Sequence, residues 1–65
     1  MNERNQLQRA IDLRSNGELQ QSNQLLLDLV EQHPNDAYVN YQCAWSFDVL
    51  GEESKAVPYY KEAIQ

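Results

Sequence analysis

Apolar residues recur along this chain at intervals of three and four, and glycine or proline interrupts the pattern at three points. Leu7, Ala10, Ile11 and Leu13 keep a helical period in the first segment. Leu19, Leu25, Leu26, Leu29 and Val30 keep it in the second. Asn2 is the predicted N-cap of the first helix. Gly17 ends that helix by taking the left-handed conformation that costs glycine little. The second helix is expected from about Glu18, with His33 in its last turn. Pro34 stops it, because the residue before a proline is pushed out of the α region. Asn35 and Asp36 offer the next N-cap, a third helix runs to about Leu50, and a fourth begins near Glu52 beyond Gly51. Glu18 and Glu52 stand at helix N-termini, where the macrodipole favours an anion. Pro58 removes the bond to the Ser54 carbonyl inside the fourth helix. Since Tyr59, Tyr60, Ala63 and Ile64 keep the period beyond it, a kink is expected there rather than a break. The predicted fold is all-α, four helices with breaks near Gly17, Pro34–Asp36 and Gly51.

The two glycines stand 34 residues apart, and each is followed by glutamate. The same offset places Gln8 on Gln42 and Ala10 on Ala44. It keeps residue class where Leu7 meets Tyr41, Ile11 meets Trp45, Leu13 meets Phe47, Leu26 meets Tyr60 and Val30 meets Ile64. A fixed period of this size signals stacked structural units. The chain therefore reads as a single domain over residues 1–65, with one helix pair in 3–36 and a second in 37–65 that lacks its last residues.

In this form the sequence resembles the tetratricopeptide repeat (TPR) family, whose unit carries W-x2-L-G-x2-Y, then A-x3-F, then P. In the second half Cys43, Ala44 and Phe47 occupy the L, G and Y places, and Ala56 and Tyr60 match A-x3-F. In the first half Ala10 and Leu13 fill the G and Y places, Ser22 and Leu26 the A and F places, and Pro34 the closing proline. Small residues at Ala10, Ser22, Ala44 and Ala56 suit close helix crossings. The chain departs from the pattern at Gln6 and Asn40, which replace the tryptophan, and at Arg9 and Cys43, which replace the leucine. Arg9 suits a first unit, since terminal repeats tend to be more polar. The resemblance implies four antiparallel helices forming a short right-handed superhelical segment.

It also implies a non-catalytic interaction module that binds a peptide or partner helix on a concave face built from the first helix of each repeat. Carried over, that face holds Arg4, Leu7, Ile11 and Arg14 from the first unit and Tyr38, Tyr41, Trp45 and Asp48 from the second. Helical spacing alone places the last four on one side of a helix, and aromatic residues and arginine dominate interface hot spots. Whether Tyr41 and Trp45 are core or surface is left open by spacing. The lysine and asparagine clamp with which some family members grip a terminal carboxylate is absent, since Leu7, Ile11 and Gln42 stand at those places. An apolar groove flanked by arginines suits a hydrophobic or amphipathic segment.

Composition narrows the remaining classes. Ten acidic residues against five basic ones give a net charge of −5, which argues against nucleic acid, whose phosphates need a basic patch. The run Leu25–Val30 is far too short to cross a bilayer, and the polar N-terminal residues lack the apolar core of a secretory signal. A soluble cytoplasmic protein is the expectation, with no cofactor. A single cysteine, Cys43, cannot form an internal disulfide, and with the single His33 it makes no metal-ligand cluster. Cys43 on the inward side of its helix reads as a small core residue rather than a reactive thiol. The carboxylates Asp12, Asp48, Glu52 and Glu53 read as solvated helix faces, and no nucleophile–base spacing suggests catalysis.

A domain of this length hides only about 60% of its unfolded surface, and roughly three repeats are needed for an independently stable stack. Support from oligomerisation or a longer repeat array is therefore expected. The fourth helix should turn Leu50, Val57, Tyr60 and Ile64 inward and leave parts of Tyr59, Ala63 and Ile64 toward a neighbour. The alternative function is accordingly self-association, in which another copy of the chain covers that edge as a dimer, edge to edge or by exchanging helices.

Overall fold

The computed structural model describes residues 3–64, with side chains from Asn5 onward; Asn2, the expected first cap, lies outside them. The elements are α1 (Glu3–Ser15), α2 (Leu19–Gln32), α3 (Ala37–Val49) and α4 (Glu53–Ala63), and the described residues contain no strand. Each helix packs on the next in chain order, α1 on α2, α2 on α3 and α3 on α4. The whole forms a slab of 27 × 27 × 14 Å. No helix among the described residues is long and apolar enough to cross a membrane.

The two glycine turns are copies of one another. Gly17 and Gly51 have φ of 85° and 78°. The Glu18 N–H donates to the Leu13 carbonyl at 2.8 Å, and the Glu52 N–H to the Phe47 carbonyl at 2.9 Å. Gly17 and Gly51 likewise donate to the carbonyls of Arg14 and Asp48, each at 3.0 Å. This pair of bonds is the Schellman arrangement, which satisfies the last carbonyls of a helix and needs a residue that tolerates positive φ. In each turn the glutamate after the glycine is also the N-cap of the following helix, without a side-chain cap bond. Glu18 instead accepts from Gln21, and Glu52 pairs with Lys55 at 3.0 Å.

The connection between α2 and α3 uses different chemistry. Asp36 caps α3, its carboxylate accepting from the Val39 N–H at 3.1 Å. The buried Asn40 amide donates to the carbonyls of Pro34 and Asp36 at 3.0 and 2.9 Å. That side chain ties the loop to the first turn of α3 and explains an asparagine in the interior, where an unpaired amide would be costly.

The core joins Ala10, Leu26, Leu29, Val39, Cys43, Ala44, Phe47 and Ala56, with Leu7, Leu25, Leu27, Val30, Tyr59 and Tyr60 packed around it. All four small residues expected at crossings are buried. The Ser22 hydroxyl donates to the Ala10 carbonyl across the α1–α2 contact at 2.7 Å. Ser46 donates to the Cys43 carbonyl at 2.6 Å and accepts from Asn23 of α2 at 2.9 Å. No buried side-chain nitrogen or oxygen among the described residues lacks a partner, as expected where burying an unpaired polar group is penalised.

Helix α4 continues through Pro58 without a break. Its inward face differs from the one expected. Ala56 is buried and Tyr59 and Tyr60 are half-buried, whereas Val57 is 47% exposed and Ile64 84% exposed. At 3.6 residues per turn, Val57 and Ile64 lie about a quarter-turn round the helix from Ala56. One neighbouring helix covers one stripe, so α3 takes the Ala56 side and leaves theirs open.

Two stability outcomes follow from this packing. Ala44→Trp or Ala56→Trp overfills a buried crossing and should cost on the order of 1–3 kcal/mol or more, read as a drop in the melting midpoint by circular dichroism. Gly17→Ala and Gly51→Ala meet no atom within 4 Å of the added Cβ. Their loss of about 1–2 kcal/mol should therefore come from the left-handed backbone alone, and denaturant titration of each variant checks it.

Candidate functional site

The aromatic side of α3 is at the surface. Tyr38, Tyr41 and Trp45 are 54%, 44% and 40% exposed, and Asp48 is half-buried on the same flank. Spacings of three, four and three residues bring them onto one helical side. From α1, Arg14 reaches across so that its guanidinium carbon lies 3.7 Å from the Trp45 ring centroid. The same group donates from Nη1 to Gln42 Oε1 at 2.8 Å. Stacking and an amide together hold the guanidinium in one orientation, and attraction between a cation and an indole face adds to it.

The ring cluster extends to α4. Tyr41 lies 6.1 Å from Trp45 in a tilted pair and 6.1 Å from Tyr60 in an edge-on pair. The Tyr60 hydroxyl donates to Asp48 Oδ2. Three helices thus contribute to one polar and aromatic surface, with α3 at its centre.

Burial around Arg14 lowers its pKa from the ordinary value, while the neighbouring hydroxyls of Tyr38 and Tyr41 oppose that effect. The bond to Asp48 is the main reason the Tyr60 hydroxyl is pushed up to about 12, with burial and the Asp48 charge adding to it. Inside, burial pushes the Cys43 thiol up to about 11, partly offset by its bond with Ser46.

The remaining residues expected on this face are less open. Leu7 is half-buried and packs against the core, Ile11 is half-buried, and the Arg4 side chain lies outside the described residues. At the edge expected for self-association, Tyr59 stacks on Phe47 with centroids 5.5 Å apart and planes at 24°. Ala63 is half-buried there, and Ile64 stands open. Exposed apolar surface on α4 thus comes from Val57 and Ile64 more than from Tyr59. Sequence reasoning missed Gln42 as the anchor of Arg14 and Tyr60 as the partner of Asp48. Both contacts span different helices, and only the repeat offset, which puts Tyr60 in an inner position, hinted at the second.

A depression away from this face is poorly suited to a ligand. A depression of about 420 Å³ runs along the outer flank of α1 beside Gln8, Arg9, Asp12 and Asn16. One helix surface gives it no opposing wall. No three His, Cys, Asp or Glu side chains come together to hold a metal ion among the described residues.

Compared with family models, with curated proteins and with solved structures, the chain gives no match.

Two pH-dependent outcomes follow. Asp48→Asn removes the charge and weakens the acceptor at Tyr60, so the highest tyrosine ionisation seen by ultraviolet titration should fall from about 12 toward the ordinary value. Cys43 keeps its proton more tightly in the folded chain than in the unfolded one. Its contribution to stability is therefore complete below the ordinary thiol value of 9.0 and is lost as pH rises through about 11. A disulfide reagent at pH 8 should accordingly react slowly with the native chain and rapidly once it is denatured.

Proposed function

We propose that the chain is a two-unit helical repeat module of TPR type that binds a peptide or partner helix through the α1–α3 face, without catalysis of its own. Support for the repeat reading comes from duplicate turns at Gly17 and Gly51 and from burial of Ala10 with Ala44 and of Ser22 with Ala56 at the same offset. The observation that carries the binding reading is the exposed Trp45 ring with Arg14 laid over it and Tyr41 beside it. Preorganised arginine and aromatic side chains lose little conformational freedom on binding, so more of their contact energy appears as affinity. The flanking half-buried Leu7 and Ile11 suit the apolar side of an amphipathic segment. The module works as a scaffold in the cytoplasm, where a reducing environment suits a free thiol.

Trp45 is the single tryptophan of the chain, so its fluorescence reports this face without labelling. A library of amphipathic helical peptides screened by that signal should yield saturable binders. Tyr41→Ala and Arg14→Ala should each weaken a binder by about 2 kcal/mol if these are hot spots, while circular dichroism shows the helices retained. Binders indifferent to both substitutions would place the function elsewhere. A second reading, self-association through α4, draws on the open Val57 and Ile64. Sedimentation across a concentration series separates it from the first, since a free binding module keeps the mass of one chain.

A further inference from the structure

Arg14 differs from the other described cations in its surroundings. Arg9, Lys55 and Lys61 are exposed, and Lys55 pairs with Glu52 at 3.0 Å. Arg14 is half-buried, its guanidinium laid over the Trp45 ring at 3.7 Å. Gln42 Oε1 accepts from Nη1 at 2.8 Å, and among the described residues no carboxylate pairs with this group. Asp48, the carboxylate on the same flank, is taken by the Tyr60 hydroxyl. Burial lowers the Arg14 pKa against the opposing effect of the Tyr38 and Tyr41 hydroxyls. The cation is thus partly desolvated without a counter-charge, which costs free energy. Stacking occupies the face of a guanidinium and leaves its edge, where the N–H groups point, for bonds in the plane.

We infer, resting on the binding face proposed above, that its ligand carries an acidic side chain whose carboxylate takes the free edge of the Arg14 guanidinium. A carboxylate is planar and accepts two parallel N–H bonds, so it matches an edge held in one orientation by Trp45 and Gln42. Leu7, Ile11 and Arg14 share one side of α1 at spacings of four and three. A helical ligand lying along them therefore carries an apolar pair spaced by four, with the acidic residue one turn further on. The face continues past Arg14 to Ile11 on one side and to Tyr41 and Tyr60 on the other. A bound segment accordingly passes the guanidinium rather than ending at it. The net charge of −5 does not cancel this preference. Exposed charges further off than about 8 Å are screened at physiological salt, whereas a partly buried pair keeps its attraction.

The test uses the whole chain and amidated amphipathic helical peptides without tryptophan, with binding followed by Trp45 fluorescence. The peptides carry leucines three and seven residues to either side of a central position, so they fit in either chain direction. That position is glutamate, glutamine or lysine. The glutamate peptide should bind about tenfold tighter than the glutamine one, the factor expected of a hydrogen bond to a charged group. The lysine peptide should bind weakest. With Arg14→Gln the glutamate and glutamine peptides should bind alike, which a merely structural role for Arg14 would not produce. The peptide comparison is made on the native chain, so it decides even where Arg14→Gln loses helical signal. Equal affinities for glutamate and glutamine would overturn the acidic ligand while leaving the binding face in place. A glutamate preference that survives Arg14→Gln would overturn the role of Arg14. Tighter binding of a glutamine peptide cut to end at the central position in a free carboxylate would overturn the side chain as the source. Failure of every peptide to bind would overturn the binding reading and this ligand together.

Discussion

Short helices gain enough from burial to stay folded only where they approach one another closely, and in this chain small side chains at the crossings set that approach. Helices of 11 to 14 residues are marginal in isolation, because nucleating a helix is costly and packing supplies most of its stability. Ala10 and Ser22 in one pair, and Ala44 and Ala56 in the other, leave no bulk between the axes. Close approach also lets the Ser22 hydroxyl reach a carbonyl of the facing helix at 2.7 Å. That bond satisfies a buried polar group and ties the relative height of α1 and α2. Leu26, Leu29 and Val39 can then meet Cys43 and Phe47 in one continuous core. A larger side chain at any of the four small positions would disturb the contacts beyond it as well as its own.

Features written in local chemistry were legible from the sequence. Gly17 and Gly51 are required by positive φ, and a glycine between two periodic segments announces that requirement. Asp36 caps α3 and Pro34 closes α2, both through effects that act within a few residues. Cys43 is in the core because its position on the helix puts it there. What escaped the sequence depended on three-dimensional neighbours. Val57 and Ile64 obey the helical period but have only α3 beside them, so a correct periodicity gave a wrong inward face. Stacking of Arg14 on Trp45 joins residues on different helices, and neither residue type announces the other. Spacing had left open whether Tyr41 and Trp45 were core or surface, and the geometry of α1 against α3 decides it: both are half in water.

Helix α3 carries the consequences of being central. One side supplies the fully buried Val39, Cys43 and Ser46, and the other displays Tyr38, Tyr41 and Trp45. Apolar and aromatic residues thus surround the helix, a pattern found where a helix is buried or where an exposed side is reserved for contact. Buried polar residues on the same helix have fixed tasks. Asn40 ties down the loop before it, and Gln42 anchors Arg14. The side chains that hold the fold and those that shape the exposed face are therefore neighbours on one element, and a change that loosens Asn40 or Gln42 would disturb both.

The two exposed apolar surfaces differ in how well water tolerates them. On the α3 face every aromatic ring brings a polar handle or sits near one: tyrosine hydroxyls, the Trp45 indole under Arg14, and Asp48 bonded to Tyr60. Such amphipathic groups stay hydrated when free and still offer large contact area to a partner, so the face suits reversible binding. The α4 stripe has no comparable handle at Val57 or Ile64, whose side chains are wholly hydrocarbon. Each lowers free energy only by leaving water, by about 1.5–3 kcal/mol on full burial. Contacts of that kind resemble the inside of a domain more than the surface of a transient complex, and interfaces built from them tend to be persistent. The aromatic face and the aliphatic stripe therefore differ in kind: the first keeps polar groups in water beside its rings, and the second exposes hydrocarbon alone.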